Sequence, residues 1–107
     1  MDATTKAKLT TRSSWMEFRD VIAAGQDFDT SGALKGRATH PDGMIYTGQL
    51  PQEYRASIKG ATYVVFSYAT PIAWRTQGQW HTPDVKYSVT TSRHQSRIFT
   101  AIDQLLS

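Results

Sequence analysis

Three hydroxyl residues in a row, Thr90, Thr91 and Ser92, run directly into Arg93, His94 and, one turn further on, Arg97. Where a strand ends and a helix begins, free backbone N–H groups and a partial positive charge favour phosphate or carboxylate. Hydroxyls beside two arginines spaced four apart would add donors to such a site. The competing reading is structural: Ser92 a helix cap, Thr91 a strand end, the arginines a solvated face, and His94 a hydrogen-bonded, half-buried histidine on the apolar side. A second constellation is aromatic. Tyr63, Tyr68, Trp74, Trp80 and Tyr87 are interleaved with Arg75 and Lys86, and exposed rings beside basic side chains bind single strands by stacking and phosphate contact. Strand alternation sets Trp74 against Arg75 and Tyr87 against Lys86 on opposite faces, which favours a packed sheet over an open one. The third constellation is the histidines His40, His81 and His94. A metal-independent ribonuclease can be built from His, Arg, Lys and Tyr with His as general acid or base. The spacing here, however, shows no HxxxH pattern, no glycine-rich phosphate loop, no GxSxG and no close carboxylate pair. No metal and no cofactor is expected.

The 107 residues carry 12 Lys+Arg against 9 Asp+Glu, a net charge of +3, and no cysteine. The length suits one domain with one continuous core. Hydrophobic residues at 39% and charged residues at 20% speak against wholesale disorder. Apolar runs of only a few residues fall far short of the ~20 that span a bilayer, so no membrane association is expected. Lacking cysteine, the chain has no disulfide, thiol nucleophile or cysteine-based zinc site, and a reducing cytoplasm is compatible with it. A sequence pI near 9.4 is one part of a nucleic-acid binder's footprint, and equally what keeps a small domain soluble. Residues 1–12 have two lysines and no apolar stretch; they are expected to be a flexible lead-in rather than a secretory signal, ahead of a domain at 13–107.

The elements that must position these groups are taken in chain order. Ser14 and Glu17 form a capping-box pattern ahead of Trp15, Phe18 and Ile22 at helical spacing, which predicts a helix at about 15–24. Gln26 to Gly32 reads as a loop. Ala33–Thr39 and Met44–Gln49 flank His40-Pro41-Asp42-Gly43, a hairpin signal. Leu50, Tyr54 and Ile58 share one face of a short helix that begins at Pro51 and ends at Gly60. Thr62–Tyr68 predicts a central strand, apolar on both faces. Ala69-Thr70-Pro71 should then interrupt it, by a kink or a bend onto a sheet edge. Ile72–Thr76 resumes the pattern and Gln77-Gly78 closes a tight turn into Gln79-Trp80-His81. Val85–Thr90 is the last strand candidate. Ser92 with Gln95 repeats the capping logic at the start of a C-terminal helix whose stripe is Ile98, Phe99, Ile102, Leu105 and Leu106.

Ser67–Trp74 (SYATPIAW) and Lys86–Ser96 (KYSVTTSRHQS) resemble a family of small uncharacterised proteins encoded by bacteriophages, particularly those of actinobacteria. The resemblance covers the second half of the chain. It implies phage origin, location in the host cytoplasm and an accessory role, and it supplies no catalytic or binding residue.

The expectation is therefore a single α+β domain, a mainly antiparallel sheet of about four or five strands packed with N-terminal and C-terminal helices. Its first functional reading is a non-enzymatic phage-type accessory protein that binds nucleic acid at a basic strand-to-helix junction. Arg75, Lys86, Thr91, Ser92, Arg93, His94 and Arg97 are the candidate contacts. A protein–protein modulator of a host factor, binding through an exposed patch of Tyr68, Trp74 and Trp80, is the alternative, and a small ribonuclease the third. The oligomeric state is not legible.

Overall fold

The structure, a computed structural model, describes residues 7–10, 13–30, 32–40, 43 and 45–106. Among the described residues, six strands form one sheet in sequence order, β1 (Ala7–Lys8), β2 (Phe28–Asp29), β3 (Leu34–Ala38), β4 (Ala61–Ser67), β5 (Thr70–Thr76) and β6 (Gln79–His81). β1 pairs parallel with β2, and every other pairing is antiparallel. Helices α1 (Trp15–Ala23) and α3 (Val89–Leu106) cover one face, α2 (Gln52–Ile58) the other. The expected single α+β domain is what the chain forms, with two of its six strands only two residues long.

The core divides at the sheet, as a strand apolar on both faces requires. On one side, Tyr63 and Val65 of β4 and Ile72 and Ala73 of β5 pack against Phe18 and Ile22 of α1 and Ile98, Ala101 and Ile102 of α3. On the other, Val64 and Trp74 meet Leu50, Ile58 and Ala61. Ile72 and Ala73 can share a face because Val65 pairs with Ala73 and Phe66 with Pro71, leaving Ile72 as the extra residue of a β-bulge. α1 starts as expected, with Ser14 Oγ accepting from the Glu17 amide.

Several expectations are corrected. Residues 7–10 are part of the fold rather than of a lead-in: the Ala7 and Leu9 amides donate to Asp27 and Asp29 carbonyls. The segment read as loop contains β2, whose Phe28 is fully buried opposite Gly36. The hairpin over 33–49 is absent. β3 pairs with β4 instead, and Ile45–Gln49 is not a strand; Pro41, Asp42 and Met44 lie outside the described residues. Thr70-Pro71 does not break a strand. The chain turns earlier, at Tyr68-Ala69, and Pro71 sits inside β5, where β6, which reaches only Trp74–Thr76, no longer extends. Its missing N–H is not required there. Val85–Ser88 is not a strand and Val89-Thr90 already belong to α3. Ser88, not Ser92, caps that helix: its Oγ accepts from the Thr91 amide at 3.1 Å. Leu106, expected in the apolar stripe, is exposed.

Candidate functional site

Both two-residue hairpin turns of the sheet put two successive residues at positive φ, Tyr68 (51°) with Ala69 (64°), and Gln77 (52°) with Gly78 (78°). That is the turn whose twist matches a hairpin, and it favours Asn-Gly. Tyr68 is a bulky residue in the left-handed region, where L-residues are disfavoured by roughly 1–2 kcal/mol. Its ring is not buried in compensation: Tyr68 is 60% exposed. Strain at an exposed aromatic is a pointer to function rather than to packing.

Three concavities meet at this ring. The first, about 300 Å³, is lined by Gly32, Ala33, Tyr68, Thr90, Arg93, His94 and Arg97, with no carboxylate in its wall. The second, about 400 Å³, lies over the part of the sheet that the seven-residue α2 leaves open, between Ala33, Lys35, Arg37, Tyr46, Phe66, Tyr68 and Ala69. The third, about 410 Å³, is bounded by Gln49, Ser67, Tyr68, Thr70, Tyr87, Ser88, Thr90 and Thr91.

The floor between the first and third is a chain of side-chain hydrogen bonds. Ser88 Oγ donates to Thr91 Oγ1 (3.2 Å), Ser67 Oγ lies 3.2 Å from Thr91 Oγ1, and Ser67 Oγ lies 2.8 Å from His94 Nδ1. Each hydroxyl has one hydrogen to give. The order in which every one is used runs Ser88 to Thr91 to Ser67 to Nδ1, which leaves the imidazole hydrogen on Nε2. Tyr68 stacks on the same ring at 6.3 Å and 26°. Burial pushes the His94 pKa below the ordinary 6.5, and Arg97 lowers it further, so the neutral form is favoured.

That shift makes stability depend on pH with a definite sign. The unfolded chain binds a proton at His94 near pH 6.5, whereas the folded chain resists it. Stability present above that pH is therefore lost as pH falls from 6.5 toward the lowered folded value. His94→Gln should flatten this part of a melting-temperature profile recorded from pH 8 to 5 at the same ionic strength.

The sequence-derived candidates separate into two groups. Thr91, Arg93, His94 and Arg97 do converge, with Arg93 and Arg97 forming the ridge between the first concavity and a further one, about 410 Å³, that reaches Ser13 and Trp15. Ser92 is exposed within the first turn of α3 and lines none of these concavities, and neither does the exposed Lys86. Arg75 is elsewhere. Five residues beyond Thr70 along β5, it lies roughly 17 Å away at ~3.3 Å per residue, with its guanidinium 5.8 Å from the Trp80 ring centre. The proposed partner patch also dissolves. Trp74 is fully buried, with Nε1 donating to Ser57 Oγ, and the half-buried Trp80 packs edge-on against Tyr63, so of the three Tyr68 alone is largely exposed.

Lys35, Tyr46, Phe66, Ser67, Thr70, Ser88 and Gln49 were missed. β3 alternates, burying Leu34 and Gly36 toward α1 and α3 and turning Lys35 and Arg37 to the open side. Arg37 is tied down by Phe28 and Gly36 carbonyls (both 2.8 Å) and by Asp29 Oδ1 (2.6 Å), so Lys35 is the more available cation there. Tyr46 is 71% exposed.

A family model matches residues 6–104, from β1 nearly to the end of α3. The chain belongs to DUF8033, a family of unknown function. The three concavities thus lie wholly within the DUF8033 domain. No curated protein and no solved structure matches the chain. Among the described residues, no group of three or more His, Cys, Asp or Glu could hold a metal ion, and no helix is long and apolar enough to cross a membrane.

Proposed function

We propose that this DUF8033 protein is a non-enzymatic accessory protein that binds single-stranded nucleic acid on the surface around Tyr68. The observation that carries the proposal is the strained, 60% exposed Tyr68 ring, flanked by Arg93 and Arg97 in one concavity and by Lys35, Tyr46 and Phe66 in the next. Stacking platforms bordered by cations accept any base and track the phosphates of a flexible strand. The neutral His94 adds an Nε2–H donor beside Arg93 and Arg97. The resemblance of Ser67–Trp74 and Lys86–Ser96 to phage-encoded proteins supports phage origin and action in the host cytoplasm as part of the same proposal.

Neither other reading gains an observation. A host-protein modulator loses Trp74, which is buried, and finds Trp80 half-buried against Tyr63. A ribonuclease needs a second acid–base group, yet His81 stacks on the buried Trp74, and the first concavity holds one histidine.

Fluorescence anisotropy with short labelled DNA and RNA strands tests the proposal. Binding should be detectable at ~50 mM salt and weaken steeply as salt rises, because phosphate neutralisation releases counterions. Arg93→Ala should reduce the slope of log K against log salt by about 0.7, the single-strand value for one phosphate contact. No binding to either polymer at low salt rejects the function.

A further inference from the structure

The third concavity differs from its neighbours in chemistry. Gln49, Ser67, Thr70, Ser88, Thr90 and Thr91 give it amide and hydroxyl groups on every side, Tyr68 and Tyr87 give it aromatic walls, and no charged side chain lines it. Three of its polar residues are at least nine-tenths buried, Ser67 (1% exposed), Thr70 (6%) and Thr91 (4%), so this is a built polar floor and not a dip between surface side chains. It offers no cation to pair with a phosphate. A planar, neutral group with donors and acceptors on its edge fits, and such a group enters beside a stacking ring. We infer that this concavity is a base-reading subsite, selective for adenine, within the single-strand surface proposed above, and the inference rests on that proposal.

The choice among bases follows from which side chains are present. Guanine is read by a bidentate Arg or Lys, cytosine by a carboxylate that accepts from its amino group, and thymine through apolar contact with its methyl. No Arg, Lys or carboxylate lines the concavity, so guanine and cytosine lack their partners, while Thr70, Thr90 and Thr91 carry methyls of the kind that meet thymine and leave Gln49 to decide for adenine. Adenine is read by a bidentate Asn or Gln, one amide donor and one acceptor, and Gln49 is the carboxamide at this wall. Single strands leave such edges free to be read, because their bases can be splayed out.

Gln49 is also held in place. Its backbone N–H donates to Thr70 Oγ1 at 3.0 Å, and the preceding Gly48 has φ +50° and packs so closely that an added Cβ would lie 2.6 Å from Thr70 Oγ1 and 2.7 Å from the Ala69 carbonyl oxygen. Glycine lets this loop sit directly on the Tyr68–Thr70 turn. The Gln49 backbone is thus fixed relative to the same turn that presents the Tyr68 ring, and its exposed side chain extends from there. A base stacked on Tyr68 and a base edge at Gln49 would be neighbours on one strand, or one base in both roles.

The test compares labelled dA, dC, dG and dT homo-oligonucleotides of equal length at one salt concentration, with wild type and Gln49→Ala. The dA strand should bind about tenfold or more tightly than dC or dT, the discrimination of one good bidentate pair. In Gln49→Ala the dA-to-dC ratio of Kd should move toward one, and the melting temperature should hold because Gln49 is exposed. Binding of all four strands within about twofold by wild type overturns the base-reading subsite while leaving single-strand binding intact. A preference that survives Gln49→Ala unchanged overturns the assignment of that residue and of the concavity with it. Absence of binding to any strand overturns both the inference and the function on which it stands.

Discussion

Replacing Tyr68 by asparagine is expected to make the protein more stable and a weaker binder at the same time. The gain comes from the backbone. Tyr68 occupies the first central position of a hairpin turn at φ 51°, where asparagine is among the favoured residues, and relief of left-handed strain is worth on the order of 0.5–1 kcal/mol after allowing for partial relaxation. Little packing is lost in exchange, because the ring is 60% exposed and its main neighbour is the face of His94. In a domain of this size that is a rise of a few degrees in Tm. The loss comes from the site. An aromatic that stacks one base contributes about 1–3 kcal/mol by truncation, so Kd should rise roughly 5- to 150-fold at fixed salt, with the salt slope little changed. Gln77→Asn separates the two effects. It repairs the equivalent strain at the far hairpin, φ 52° beside Gly78, away from every concavity that Tyr68 borders, so Tm should rise with no change in Kd. If Tyr68→Asn lowers Tm, the turn is not strained as described. If Kd is unaltered, Tyr68 is not the stacking platform.

That opposition explains why the turn escaped a reading of the sequence. Asn-Gly or Asp-Gly would have announced it, whereas Tyr-Ala carries no turn signal, and the proline three residues later drew the break to itself. The same region shows what local pattern can and cannot give. α1 was legible because its cap, its apolar spacing and its end are all local, and β4 because both of its faces are apolar. Val85–Thr90 alternates as a strand would, but pairing is not a local property. Val85 finds its partner in a side chain of α3, the Gln95 Nε2 that donates to its carbonyl at 3.0 Å. Ser88 then begins the helix four residues before Ser92. β3 was paired with the wrong segment for a related reason: its true neighbour β4 is more than twenty residues away, with α2 between them. Among the site residues, Arg93, His94 and Arg97 were legible as a cluster because one helix carries them. Lys35, Tyr46 and Gln49 come to Tyr68 only through the sheet register and the loop that Gly48 allows, and no spacing in the chain encodes that meeting.

Gly36→Ala is expected to be strongly destabilising, and it tests the register that brings Lys35 to the site. Gly36 pairs with Phe28 in β2 and with Val65 in β4. The Phe28 ring lies across it, so an added Cβ would fall 2.5 Å from both Phe28 Cδ2 and the Tyr63 hydroxyl oxygen. Neither neighbour can step aside. Phe28 is fully buried and edge-on to Phe18, and the Tyr63 hydroxyl donates to the Gln26 carbonyl at 2.7 Å. Overpacking of a closed core costs about 1–3 kcal/mol and more where the neighbours are fixed, so ΔG of unfolding should fall by about 3 kcal/mol in a denaturant titration with an unchanged m-value. Phe28→Leu alone should also destabilise, by removing buried aromatic surface. Combined with Gly36→Ala it should cost less than the two summed, by roughly 1 kcal/mol or more, because the smaller side chain vacates the space the methyl needs. Additive losses would show that the ring does not lie over the glycine. Lys35 and Arg37 flank this position and turn to the opposite face of the same strand. The double variant, with β3 restored against β4, should therefore recover salt-dependent single-strand binding, because the cation beside Tyr68 depends on where β3 sits and not on which side chains fill the core beneath it.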